Sequence, residues 1–238
     1  MTTIRMSSLL GRNIIASDGA VGALYDIYFS DDTWVVEHVI LQTGAFFESR
    51  RLIMDPGLLL AESGYDGGSS SSDILVATTR KEILASPDYM ADPPVSEQRA
   101  HDSALHPRFL WFPTGDMTKI VLRPLGADED ALTGSSETSI AEGHNPRLQS
   151  FREVRGYAVH TATDEEEEER ADQACIGHVA DLLFTPGNQH IEQVIIDTGH
   201  GPTRDELMVQ PSVVRSIEWA DVHLYLRLTR AELGLAVG

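Results

Sequence analysis

The chain repeats itself at a constant offset of 155 residues, and this repetition restricts the folds open to it more than any other feature. Gly22, Asp26, Phe29, Glu37, Val39, Thr43, Gly44, Leu52 and Pro56 recur as Gly177, Asp181, Phe184, Glu192, Val194, Thr198, Gly199, Leu207 and Pro211. An offset held through strand-like text means two copies of one structural unit. The spacing changes only at the flanks: Gly11 matches Gly156 at 145, and Thr79 matches Thr229 at 150. Copy two therefore has ten extra residues near its start, within Asp164 to Ala174, and a shorter loop near its end.

Within copy one, Arg12 to Ala16 reads as a strand, and Ser17-Asp18-Gly19 as a tight hairpin whose Asp-Gly step supplies positive φ. Strands are expected at Val21 to Phe29, Trp34 to Gln42, Arg51 to Met54, which Pro56 stops, and Ile74 to Thr78. On the strongest of them strict alternation puts Glu37, Val39 and Leu41 on one face and Val36, His38 and Ile40 on the other. Both faces are largely apolar, as in a strand enclosed by a barrel or sandwich. Gly64 to Ser72 is a Gly/Ser-rich loop. Each copy closes on an S/T-x-x-E capping box: Thr79 with Glu82 after one strand, and Thr229 with Glu232 after the strand Val222 to Leu228.

At 238 residues the chain accommodates two domains, each able to bury a core without staples. Cys175 is the only cysteine, so no intrachain disulfide forms, and a reducing cytoplasm is the expected compartment. No stretch reads as a signal peptide or a membrane span. A formal net charge of -19 argues against nucleic acid, whose phosphates call for clustered Lys and Arg, and suits a basic protein partner.

Between the copies, Ser86 to Ser150 contains Pro93-Pro94, the cluster Phe109-Leu110-Trp111-Phe112, a strand-like run from Lys119 to Leu122 and an acidic stretch from Gly126 to Gly143. The aromatic cluster is too apolar to lie free in water, so it packs on one barrel or the seam between them, or docks a partner. The rims of the two copies differ: Phe46 and Phe47 in copy one face the replacement His200-Gly201-Pro202-Thr203-Arg204 in copy two. Phe109, Trp111, Phe112, Phe46 and Phe47 are accordingly the candidate partner-binding residues.

The text VGALYDIYFSDDTWVVEHVILQTG in copy one and IGHVADLLFTPGNQHIEQVIIDTG in copy two resembles the PRC-barrel family. Each has a G-x-x-x-D-x-x-F, a turn, and an apolar strand closing on Thr-Gly. The endings TTRKEILASP and LTRAELGLAV look like the short helix after the family's last barrel strand. The resemblance implies a mainly β protein: two small PRC-type β-barrels in tandem, each ending in a short helix, joined by a long irregular segment. The boundaries expected are 4–86 for copy one, 87–148 for the connecting segment and 149–238 for copy two. Relatives use the barrel to contact a membrane-protein complex or a ribosomal protein, so those are the partner types the resemblance implies.

The chain contains no Gly-rich phosphate loop, nucleophile elbow, paired-cysteine zinc site or HExxH run. The expectation is a non-enzymatic interaction or adaptor module, without cofactor, forming either a homodimer or an intramolecular pseudo-dimer. The alternative is a metal- or small-ligand-binding protein using the copy-two histidines, His160, His178, His190, His200 and His223, and the acidic hairpin Glu165 to Glu169. The repeated carboxylates Asp26 with Asp181 and Glu37 with Glu192 are read as acceptors for turn amides or partners of an interface arginine, or else as proton or metal carriers.

Overall fold

A computed structural model describes residues 3–44, 49–60, 73–98, 144–162, 175–185, 187–199 and 205–234. Copy one contributes β1 (Ile4–Arg5), β2 (Asn13–Ala16), β3 (Gly19–Ser30), β4 (Val36–Thr43), β5 (Arg50–Met54), α1 (Pro56–Leu60), β6 (Ile74–Leu75) and α2 (Arg80–Leu84). Copy two contributes β7 (Leu148–Ser150), α3 (Phe151–Val154), β8 (Ala158–His160), β9 (Cys175–Thr185), β10 (His190–Asp197), β11 (Glu206–Val209), β12 (Val214–Glu218) and β13 (His223–Leu226). The turn chemistry behaves as read. Ala16 pairs with Gly19 across a two-residue hairpin, and Gly19 takes a φ of 130°.

These strands form two mixed sheets, and the expectation of closed barrels is corrected. One sheet runs β5-β4-β3-β2-β6 with β7 on β3, and the other β11-β10-β9-β8-β13-β12 with β1 on β9. β2 with β6 and β8 with β13 are parallel pairs, and the remaining ladders are antiparallel. No described strand pair joins the outer strands of either sheet.

The two lead-in segments are exchanged. β1, at the start of copy one, pairs with β9 of copy two through Ile4 to Phe184 and Arg5 to Leu183. β7, at the start of copy two, pairs with β3 of copy one through Gln149 to Phe29 and Ser150 to Tyr28. Each of these pairs is the other's counterpart at the repeat offsets. The hairpin tips repeat the relation: the Val36 amide donates to Gln189 O and the Ile191 amide to Trp34 O, both at 2.8 Å. Trp34 and Gln189, equivalent residues, sit at φ of 56° and 58° in the left-handed region. Contacts that swap partners in this way are what a twofold axis produces. Trp34, expected as the first residue of a strand, therefore lies in the turn before β4.

One hydrophobic core runs through both copies. It includes Met6, Ile14, Leu24 and Phe29 together with Phe151, Val159, Leu182 and Leu224. Met6 and Phe151, which follow the exchanged strands, are fully buried. A smaller cluster of Tyr28, Ile40 and Leu148 lies on the other side of β3 and β4.

Two β-bulges are present in both copies, and the first corrects the alternation expected for β4. Pairing jumps from Tyr28–His38 to Phe29–Val36, leaving Glu37 as the extra residue, and from Leu183–Gln193 to Phe184–Ile191, leaving Glu192. Because a bulge resets the two-residue period, Val36, Val39 and Leu41 all reach the main core while Ile40 joins the smaller one. A second bulge places Tyr25, and equivalently Ala180, opposite no residue of the neighbouring strand. α2 opens with both halves of its capping box. In copy two the reciprocal bonds between Thr229 and Glu232 also form, but they cap a single turn up to Gly234 rather than a helix, a correction to the expected ending.

Candidate functional site

The repeated aspartates hold the exchanged segments. Asp26 is buried, and its carboxylate accepts from the amides of Ile27 at 2.7 Å and Arg152 at 3.1 Å and from the Ser150 hydroxyl at 2.5 Å. Asp181 accepts from the Leu182 amide at 2.9 Å, the Ser7 amide at 3.0 Å and the Ser7 hydroxyl. Ser7 and Arg152 are equivalent at the 145 offset, so each carboxylate caps the turn that follows the other copy's lead-in strand. Burial pushes the Asp26 carboxyl up to about 6, with the Ser150 and amide hydrogen bonds opposing it.

Positions outside this shared framework differ between the copies, and three of them gather polar groups. On copy one, Arg51 and Arg152 stack on Tyr25 with guanidinium carbons 4.0 and 4.2 Å from the ring centroid, and Arg51 also lies 5.2 Å from the Tyr89 ring. Two guanidinium groups cannot share one face at that distance, so the order is Tyr89, Arg51, Tyr25, Arg152, a cation–π ladder. On copy two, the rings of His160 and His223 are 4.5 Å apart and Tyr225 lies 5.4 Å from His160. Burial, and then the neighbouring His223, push His160 down. Its Nε2 is buried with no hydrogen-bond partner.

The third group lies where both ends of the connecting segment meet β4. His38 Nε2 donates to Asp92 Oδ2 at 2.7 Å, and His144 Nδ1 lies 3.7 Å from Asp92 Oδ1. Asn145 donates through Nδ2 to both Glu37 oxygens at 3.1 Å, and Gln98 Nε2 donates to Pro93 O and Asn145 O at 2.7 and 2.9 Å. His144 Nδ1 is buried without a hydrogen-bond partner. Among the described residues no three His, Cys, Asp or Glu side chains form a group that could hold a metal ion.

The candidate partner residues Phe46, Phe47, Phe109, Trp111 and Phe112 lie outside the described residues, as do His200 and Glu165 to Glu169. Of the other copy-two histidines, the structure joins His160 and His223 only. His178 pairs with Asp197 at one end of the β9–β10 ladder and His190 with Thr185 at the other, so they share no site. Glu37 and Glu192 are bulge residues with different partners, Asn145 for one and Asn188 at 3.4 Å for the other. Sequence reasoning passed over Asp92 and His144 because they are distant from His38 in the chain. A usable signal was the mismatch of His38 with Gln193 at the 155 offset. Among the described residues no helix is long and apolar enough to cross a membrane. Neither the protein-family models nor the curated proteins compared with the chain give a match.

Proposed function

We propose that the chain is a tandem relative of the PRC-barrel family, its units forming open sheets rather than closed barrels, that works as a non-enzymatic protein-interaction or adaptor module. The observation that carries this reading is where the two copies agree and where they part. They agree at residues that hold the framework: Gly22 with Gly177, Asp26 with Asp181, and Trp34 with Gln189 in conformation. They part on outward positions of the same sheets. Ile15, Asp73 and Leu75 stand where copy two has His160, His223 and Tyr225, and Tyr25 and Arg51 stand where it has Ala180 and Glu206. Duplication followed by divergence on these outward faces gives two unlike docking surfaces. Leu75 and Leu84 are exposed at 54% and 43%, and Leu84 lines a groove with Asp18, Arg80, Lys81 and Ala85. That groove holds one of the chain's two lysines, so an apolar partner surface carrying carboxylates suits it.

Crosslinking of the tagged full-length chain in its native cells, with soluble and membrane fractions analysed separately, is the direct test. The expected result is one stoichiometric protein partner, lost on Leu75→Asp with Leu84→Asp or on deletion of Phe109 to Phe112 while the near-ultraviolet circular dichroism is unchanged. Recovery of the chain by itself would count against the reading.

A further inference from the structure

Equivalent edges of the two sheets are finished differently. In copy one the start of the connecting segment covers the outer side of β5: the Ile53 amide donates to Pro87 O at 2.9 Å, and Leu52 bridges antiparallel to Asp88. That register sets Tyr89 opposite Arg51. The Tyr89 ring lies 5.2 Å from the Arg51 guanidinium carbon and packs, beside Ile53, on the cluster that contains Ile40. At the 155 offset β11 is the counterpart of β5, with Glu206 for Arg51 and Met208 for Ile53. Among the described residues no strand pairs with the outer side of β11.

That side has what an added strand needs. The Thr198 amide donates to Asp205 O, so the alternation of an antiparallel ladder turns the Met208 amide away from β10, as the Ile53 amide turns away from β4. Met208 is 49% exposed, next to the fully buried Ile195 with which it pairs. An open edge of this kind accepts an extended segment through main-chain bonds, and side-chain fit selects the segment. The charge at the two edges is opposite. Asp197 pairs with Glu206 across the ladder, where copy one pairs Gln42 with Arg51.

We propose that the outer edge of β11 binds an extended segment of a protein partner, antiparallel to β11, with an apolar side chain opposite Met208 and a Lys or Arg two residues later opposite Glu206. This rests on the interaction-module reading and assigns it a docking edge. The pattern is taken from copy one, where Pro87 stands opposite Ile53 and Tyr89 opposite Arg51. With Glu206 in place of Arg51, the aromatic ring that stacks on a guanidinium gives way to a cation, since opposite charges directly across an antiparallel pair attract. The Met208 amide donates to the carbonyl of the partner's apolar residue, as the Ile53 amide does to Pro87. A formal net charge of -19 on each chain disfavours a second copy as the occupant.

Full-length protein with isotope-labelled methionine methyl groups, titrated with the capped peptide acetyl-Thr-Val-Thr-Lys-Thr-amide, tests the edge. The Met208 signal should shift and saturate with a dissociation constant of about 1 mM or less. Met208→Pro removes the outward donor at an edge position that tolerates proline, and should weaken binding about tenfold. Glu206→Lys should weaken it similarly and should restore binding to the peptide that carries Glu for Lys. Glu206→Gln replaces that variant if near-ultraviolet circular dichroism shows a disturbed fold, because Glu206 also pairs with Arg5. No Met208 shift at about 10 mM peptide, or equal affinity in Met208→Pro, overturns the proposal. In the native cells, a photo-crosslinking residue in place of Met208 should join a segment of the stated pattern in another protein. Crosslinks only to a second copy, or to residues 99–143 or 235–238 of the same chain, overturn it. A stoichiometric partner that does not link through Met208 overturns this edge and leaves the adaptor reading standing; recovery of no partner removes both.

Discussion

At Asp26 a single carboxylate connects the chain's first strand-rich unit to the lead-in of its second, and its burial makes that connection sensitive to protons. The folded chain holds the Asp26 proton more tightly than the unfolded chain, whose carboxyl titrates near 4. Stability from this group is thus complete below about 4 and is lost as pH rises through about 6, by up to about 3 kcal/mol. Asp26→Asn keeps an acceptor for the Ile27 and Arg152 amides, so thermal melts from pH 4 to 8 should show a flatter profile than the parent, with the variant relatively more stable at pH 8. Asp26→Ala strands the buried Ile27 amide and the part-buried Arg152 amide and should cost about 1 to 4 kcal/mol at either pH. Gly22 and Gly177 make a second residue-scale case. A Cβ at either would sit 2.1 Å from a carbonyl oxygen, of Gln42 or Asp197. Ala at either should therefore cost several kcal/mol by denaturant titration; a loss under 1 kcal/mol would mean that the ladder there yields easily. In the sequence, the aspartates were readable as acceptors for turn amides. Which amides was not readable, because one of them comes from the other copy.

Among elements, the long strands and the β2–β3 hairpin were legible because β-branched runs and an Asp-Gly turn carry their own signal. β1 and β7 were not. Two or three residues have no periodicity, and these strands exist only because the edge of a remote strand accepts them. The bulges at Glu37 and Tyr25 were hidden for a related reason: one inserted residue inverts the alternation by which faces are assigned. One bulge projects Tyr25 outward into the arginine ladder, and the other turns Glu37 toward Asn145. At the end of copy one, the Glu82 carboxyl is held down to about 2 by the Thr79 amide and the Thr78 and Thr79 hydroxyls. Thr79→Ala removes both the cap of α2 and part of that hold, and a loss of about 1 kcal/mol in chemical denaturation is expected.

Across the whole molecule, shared core and mutual strand exchange make the two copies one cooperative unit. Calorimetry should show a single transition, and Asp181→Ala, a change within copy two, should lower it without splitting it; two resolved transitions would contradict the shared core. The duplication was visible in the sequence, but the mutual holding of the halves was not, since an offset reports likeness and is silent on who pairs with whom. Reciprocal exchange has a further consequence during synthesis. Ser7 cannot meet Asp181 until 174 more residues have been made, on the order of 10 to 35 s at ordinary elongation speeds. Throughout that interval the nascent first half carries Ile4, Met6 and Leu9 with no sheet to receive them, and the β3 edge awaits Leu148 to Ser150. The ribosome therefore releases a chain whose earliest residues are among the last to settle.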